Sequence, residues 1–134
     1  MLTIPLKMPF YIQNTETQLV LDVKGGEEGA EAQVIMFAYH GGANQLWEYK
    51  NGMIYSKLNG LVLDVNQETG NVSTFEPHGG PNQLWHFEED GTIRSETDQV
   101  LDISEGSTEP GAPVIVFPKH GGPNQIFRTV TVDE

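Results

Sequence analysis

The sequence predicts an all-β domain built from three pseudo-symmetric, four-stranded repeats, and three observations carry that prediction. The motif His-Gly-Gly-x-Asn-Gln is written three times, as His40 to Gln45, His78 to Gln83 and His120 to Gln125, with its Asn residues 38 and then 42 positions apart. Apolar residues alternate over short runs rich in Val, Ile, Phe and Tyr, as in Leu19, Leu21 and Val23 against Val20 and Asp22, which is the period of a strand. Turn residues (Gly, Asn, Pro, Asp) punctuate these runs throughout, and no segment holds a helical period for ten residues.

Taken in order, Leu2, Ile4, Leu6 and Met8 alternate ahead of the first repeat. They predict an extra strand, and an exposed strand there would pair two chains into a homodimer. The repeats follow at about 10–50, 51–89 and 90–131, within one domain covering 1–134. They open on Phe10-Tyr-Ile12, Gly52-Met-Ile54 and Gly91-Thr-Ile93. A polar turn comes next: Asn14 to Thr17, Ser56 to Gly60, Ser95 to Asp98. The second strand is Val20-Leu-Asp22-Val23, Val62-Leu-Asp64-Val65 or Val100-Leu-Asp102-Ile103. A Gly-rich, acidic loop then leads to a β-branched run ending in Phe37, Phe75 or Phe117, and the His-Gly-Gly element closes each unit.

A period near 40 with four strands per unit also describes propeller blades, but a propeller typically has four to eight of them. Three such units close instead into a barrel with three-fold pseudo-symmetry, which removes exposed sheet edges. The architecture expected is therefore a β-trefoil. Its centre would draw on Ile12, Leu21, Leu46, Trp47, Ile54, Leu63, Leu84, Trp85, Ile93, Leu101, Ile126 and Phe127.

Composition narrows the function. Seven Lys and Arg against 19 Asp and Glu leave a net charge of −12, a field that repels nucleic acid and anionic bilayers. The chain has no cysteine, which removes disulfides, thiolate metal sites and Cys nucleophiles without assigning a compartment. No apolar run is long enough to insert in a membrane. The N-terminus lacks the basic start and long apolar stretch of a signal peptide. The chain therefore stays in the cytoplasm, leaves by a leaderless route, or has lost a leader. Glu27, Glu28 and Glu31 make an acidic loop without the alternating ligand spacing of a calcium site. It reads as a solvated loop, and no metal or cofactor is expected.

Three Gln-x-Trp-like elements, Gln45-Leu-Trp47, Gln83-Leu-Trp85 and the variant Gln125-Ile-Phe127, each follow a Leu-Asp-Val/Ile and an aromatic. This pattern resembles the ricin B-type (R-type) lectins, and in wording it is similar to their single-domain invertebrate, galactose-binding members. The resemblance covers residues 10 to about 130. It implies a β-trefoil that binds galactose-containing sugars.

The resemblance also implies roles for repeated residues. Asp22, Asp64 and Asp102 lie out of phase with the core residues beside them, so their carboxylates should point outward. An ionised carboxylate accepts two hydroxyl hydrogen bonds, and charge-assisted bonds are the stronger kind. In the family this Asp holds the vicinal 3- and 4-hydroxyls of galactose. Phe37, Phe75 and Phe117, each seven residues before the Asn, occupy the family's stacking position, where Phe offers less area than the frequent Trp. Asn44, Asn82 and Asn124 would donate and accept toward the 3-hydroxyl. Gln45, Gln83 and Gln125 would orient the Asp from behind. His40, His78 and His120 face the same hollow, serving either as sugar ligands or as caps of the local backbone. The Trp fills the core, and tight turns with positive φ account for the Gly-Gly pairs.

The three sites are not equivalent. Asp and Phe are 15 residues apart in repeats 1 and 3 (22 to 37, 102 to 117) but 11 apart in repeat 2 (64 to 75). Its loop, Asn66 to Asn71, is four residues shorter and forms one wall of the hollow, so sites 1 and 3 rank ahead of site 2.

The expected function is a multivalent, non-enzymatic, agglutinating lectin for terminal galactose or N-acetylgalactosamine on glycans, glycoproteins or glycolipids. A trefoil acting through protein contacts, such as a protease inhibitor, has no reason to repeat polar surface residues three times. A targeting domain of a larger toxin or glycoside hydrolase is the other alternative. Catalysis by this chain is disfavoured, because glycoside hydrolysis needs two carboxylates about 5–10 Å apart across one bond, and here each repeat supplies one.

Overall fold

The computed structural model describes residues 8–132, so Leu2, Ile4 and Leu6 of the expected N-terminal strand lie outside the described residues. Twelve strands follow in three groups of four. Repeat 1 holds β1 (Phe10–Asn14), β2 (Val20–Val23), β3 (Val34–Phe37) and β4 (Trp47–Lys50). Repeat 2 holds β5 (Met53–Ser56), β6 (Val62–Val65), β7 (Val72–Phe75) and β8 (Trp85–Phe87). Repeat 3 holds β9 (Ile93–Ser95), β10 (Val100–Ile103), β11 (Val114–Phe117) and β12 (Phe127–Thr131). Helix among the described residues is confined to five 3-10 turns of three residues each.

Every strand pairing among the described residues is antiparallel. β1 to β7 with β12 form an eight-stranded sheet, and β8 to β11 a four-stranded one. The pairing of β1 with β12, Phe10 opposite Thr131 through Asn14 opposite Phe127, brings the first and last repeats together. Backbone bonds join the sheets, among them Trp85 N–H to Gly52 O and Phe127 N–H to Gly91 O, both at 2.8 Å. Paired this way, the strands leave few free edges.

The second and third strands of each repeat form a hairpin, with Asp22 opposite Ile35, Asp64 opposite Ser73 and Asp102 opposite Ile115. These hairpins interlock across the pseudo-threefold axis. Glu31 N–H donates to Thr74 O at 2.6 Å, Gly111 N–H to Met36 O at 2.7 Å, and Val116 N–H to Gly70 O at 2.8 Å. Each repeat's loop is thereby fastened to another repeat's strand.

Phe10, Ile12, Leu21, Met36, Trp47, Ile54, Leu63, Trp85, Ile93, Leu101 and Phe127 form the buried centre. Burying each aliphatic side chain contributes roughly 1.5–3 kcal/mol. Three expected core members do not belong to it: Leu46, Leu84 and Ile126 are half-buried. In each Gln-x-Trp element the Gln and the aromatic are buried on one side, and extended backbone turns the residue between them the other way. Leu84 and Ile126 pack over hairpin turns instead. Their methyl groups lie 3.1 and 2.9 Å from where a Cβ on Gly52 or Gly91 would stand.

Candidate functional site

The hollow of repeat 1 is built upward from Asp22 on β2. Gln45, fully buried, donates from Nε2 to Asp22 Oδ2 and to Ala38 O, both at 2.8 Å. Its Oε1 accepts the backbone N–H groups of His40 at 2.8 Å and Gly41 at 3.2 Å. One amide thus closes the loop and fixes the carboxylate. Asn44 donates from Nδ2 to Asp22 Oδ1 at 3.3 Å and to Val23 O at 3.1 Å. Both of its amide hydrogens are occupied, so Oδ1 is what it can offer a ligand. Each Asp22 oxygen carries one amide bond and keeps further lone-pair capacity.

His40 accepts the Gly42 N–H at Nδ1, 2.9 Å, which places the proton of the neutral ring on Nε2. That nitrogen lies 3.8 Å from Asp22 Oδ2. His40 therefore caps the local backbone and faces the carboxylate at once. The two glycines of the motif have different reasons to be there. Gly41 has φ +80, the left-handed region. Gly42 has an ordinary φ of −69, but a Cβ on it would stand 2.6 Å from His40 Cε1 and 2.9 Å from Asn44 Oδ1. Positive φ explains the first glycine, and close approach of the two polar side chains explains the second.

The expectation of an outward carboxylate needs correction. The Asp22 and Asp102 side chains are only 4% exposed, because each lies on the floor of its hollow beneath the Asn and the following loop. Burial pushes both carboxyl groups above their ordinary value, opposed by the Gln amide, the His and the Asn. Gly25, Gly26, Phe37 and His40 line the hollow above Asp22. Phe37 is 41% and Phe117 49% exposed, so both rings offer a face to a ligand.

Repeat 3 reproduces this arrangement. Gln125 Nε2 donates to Asp102 Oδ2 at 2.8 Å, and Asn124 Nδ2 to Asp102 Oδ1 at 3.2 Å and Ile103 O at 3.1 Å. His120 Nε2 lies 3.6 Å from Asp102 Oδ2.

Repeat 2 brings together the same five residue types, with three differences. Asn82 and Gln83 both donate to Asp64 Oδ2, at 3.3 and 2.9 Å, so Oδ1 has no protein donor among the described residues. The loops also diverge. Repeats 1 and 3 run through 3-10 turns at Lys24–Gly26 and Ser104–Gly106, with Gly25 and Glu105 at φ +64 and +59. Repeat 2 folds Asn66 to Asn71 into a tight turn closed by Asn66 N–H to Asn71 O at 2.9 Å, while Asn66 Oδ1 takes the N–H groups of Glu68 and Thr69. Phe75 is half-buried, its ring edge-on to His78 with 6.3 Å between centroids.

Two lining residues of this second hollow, Glu31 and Ser73, were not expected from the sequence. Ser73 is visible when the repeats are aligned, because Ile35 and Ile115 stand at its position. Glu31 reaches the hollow only through the docking of repeat 1's loop on β7.

A family model described as Ricin-type beta-trefoil lectin domain matches residues 8–127. No curated protein matches the chain. Among solved structures it is similar to the earthworm R-type lectin C-half in complex with GalNAc, at 30% identity and TM-score 0.85, covering 93% of this chain and 99% of that one. It is similar to the designed 3-fold symmetric protein ThreeFoil, at 29% identity and TM-score 0.85, covering 92% and 99%. It is also similar to part of an exo-beta-1,3-galactanase from Clostridium thermocellum, at 27% identity and TM-score 0.84, covering 97% of this chain and 31% of that one. With a β-trefoil of three matched Asp, Asn, Gln and His clusters and a family match over nearly its whole length, the chain belongs to the ricin-type β-trefoil lectins, a family of carbohydrate-binding domains.

Proposed function

We propose that residues 1–134 act as a single, non-enzymatic lectin domain that binds terminal galactose or N-acetylgalactosamine at Asp22 and Asp102, with Asp64 as a further site. The observation that carries this reading is the repeated carboxylate, held by a buried Gln and an Asn on the floor of an open hollow, beside an aromatic ring. Its spare lone pairs suit a vicinal diol, and Phe37 or Phe117 suits the apolar face of the sugar ring. The earthworm lectin's complex with GalNAc supports the sugar class by analogy. A shallow site of this kind binds a monosaccharide at about millimolar Kd, or about −4 kcal/mol. Several sites on one rigid body raise avidity on a glycan-coated surface by about 10²–10⁴. Glycoproteins and glycolipids are therefore the partners proposed, and agglutination the outcome.

The deciding experiment compares wild type with the Asp22→Ala/Asp102→Ala double variant in agglutination and in galactose titration. The expected result is agglutination by wild type, blocked by free galactose or lactose, and lost in a folded double variant. Undiminished agglutination by that variant overturns the site assignment. The galactanase, of which a domain like this makes up 31%, favours a second reading in which the same sites anchor a larger hydrolase to its substrate.

A further inference from the structure

On the side of the pseudo-threefold axis, the hollow of repeat 2 is bordered differently from that of repeat 1. The residue opposite the carboxylate is Ile35 for Asp22 and Ile115 for Asp102, but Ser73 for Asp64. The adjacent loop docks in the same way in repeats 1 and 2. Met36 exchanges backbone bonds with Gly111 and Ala112, and Thr74 exchanges them with Glu31 and Ala32. Pro113 then bridges Ile35, while Gln33 bridges Ser73. Ile35 lines the hollow of repeat 1, with Gly111 and Pro113 docked beside it, whereas Glu31 and Ser73 line that of repeat 2, with Gln33 docked beside them. A carboxylate, an amide and a hydroxyl replace three groups with no polar side chain.

These groups lie along one path. The hollow above Asp64 includes Glu31 and Ser73. The same two residues, with Asn66, line an adjoining groove that continues to Gln33, Asn71 and Pro113. The tight Asn66 turn lacks the 3-10 segment that walls the hollow of repeat 1. The Glu31 loop is held against β7 by backbone bonds of 2.6 and 3.1 Å, so the groove is preorganised.

We infer that repeat 2 is an extended site for a neutral oligosaccharide. Its terminal sugar rests on Asp64, and the next residues run past Ser73 and Glu31 toward Gln33 and Asn71. This rests on the reading of Asp64 as a sugar-binding carboxylate. Hydroxyl, amide and carboxylate groups spaced along a groove match the donors and acceptors of successive sugar rings. Glu31 and Glu68 beside Asp64 make the groove electronegative, which disfavours sialylated or sulfated chains.

The test isolates repeat 2 in an Asp22→Asn/Asp102→Asn background and titrates methyl β-galactoside, linear β-linked galactotriose and 3'-sialyllactose. Galactotriose is expected to bind about tenfold tighter than methyl galactoside, equivalent to about 1.4 kcal/mol, and sialyllactose no tighter. Adding Ser73→Ile, which copies the other repeats, should bring the trisaccharide-to-monosaccharide ratio close to one. In wild-type protein, galactotriose should also shift the side-chain amide resonances of Gln33 and Asn71 by NMR. Equal affinity for the two neutral sugars in the double variant, or unmoved Gln33 and Asn71 resonances in wild type, overturns the inference. A double variant that binds neither, beside a wild type that binds methyl galactoside, overturns it while leaving the lectin reading intact. A wild type that binds neither overturns both.

Discussion

Gln45 and Asp22 are joined in the protein interior by a 2.8 Å bond from Nε2 to Oδ2. The same bond recurs at 2.9 Å between Gln83 and Asp64 and at 2.8 Å between Gln125 and Asp102. The Gln also holds the backbone of the His-Gly-Gly turn, so one side chain serves fold and site together. Replacing Gln45 by Leu keeps the volume but leaves Asp22 Oδ2, Ala38 O and two N–H groups without this partner. A buried group left unsatisfied costs about 1–3 kcal/mol, and water reaches the more exposed ones. The expected loss is about 2–4 kcal/mol, read as a lower urea midpoint, together with loss of the proposed galactose site in repeat 1.

The raised carboxyl groups of Asp22 and Asp102 make binding and folding respond to acid in opposite directions. In the proposed sites a sugar diol is held by the ionised form, so galactose affinity should fall as pH drops through a range above the ordinary 3.8. For stability the sign reverses. Each folded value lies above the unfolded one, so these carboxyls contribute stability below the unfolded value and lose it as pH rises through the folded one. Asn44, Gln45 and His40 face Asp22, and Asn124, Gln125 and His120 face Asp102. Calorimetric titration and thermal melts over the same pH series should show affinity falling on acidification while the stability contributed by these two groups rises.

The two glycines of the motif separate strain from steric exclusion. Gly121 has φ +81 and open space where a Cβ would go. Gly121→Ala should cost about 1–2 kcal/mol of backbone strain without changing the number of proposed galactose sites. Gly122 has φ −71, but its Cβ would stand 2.7 Å from His120 Cε1 and 2.9 Å from Asn124 Oδ1. Gly122→Ala should displace both side chains and lower the titrated stoichiometry by one site. The reverse pattern would show that His120 and Asn124 are not needed in their present positions.

Much of this was readable in the sequence because it is local. Alternation places the strands, the repeat of Gln-Leu-Trp locates the barrel aromatics, and the Asp-to-Phe spacing marks the loop that differs in repeat 2. What depends on one repeat touching another was not readable. Glu31 borders the second hollow because its backbone bonds to Thr74, 43 positions on (31 to 74), and no periodic pattern encodes that. The depth of Asp22 depends in the same way on the loop folded over it. Leu46 stays outside the centre because the chain changes direction between Gln45 and Trp47, which a bare hydrophobicity count does not register.

The cap of the trefoil offers a test of packing that leaves the sites alone. Met36, Thr74 and Val116 occupy matching positions on β3, β7 and β11 and are all buried. Among the described residues Thr74 Oγ1 has no hydrogen-bond partner, so there its hydroxyl is buried without compensation. Both neighbouring repeats place an apolar side chain there, and Val has nearly the shape of Thr. Thr74→Val should therefore stabilise the protein by about 1 kcal/mol, the low end of the cost of an unpaired buried hydroxyl. The gain should appear as a higher denaturation midpoint with an unchanged m-value. The backbone bonds of Thr74 to Glu31 and Ala32 do not involve its side chain, so the groove beside Ser73 should keep its shape. A loss of stability would mean that the hydroxyl has a partner in solution, and that the cap is more polar than its three buried side chains indicate.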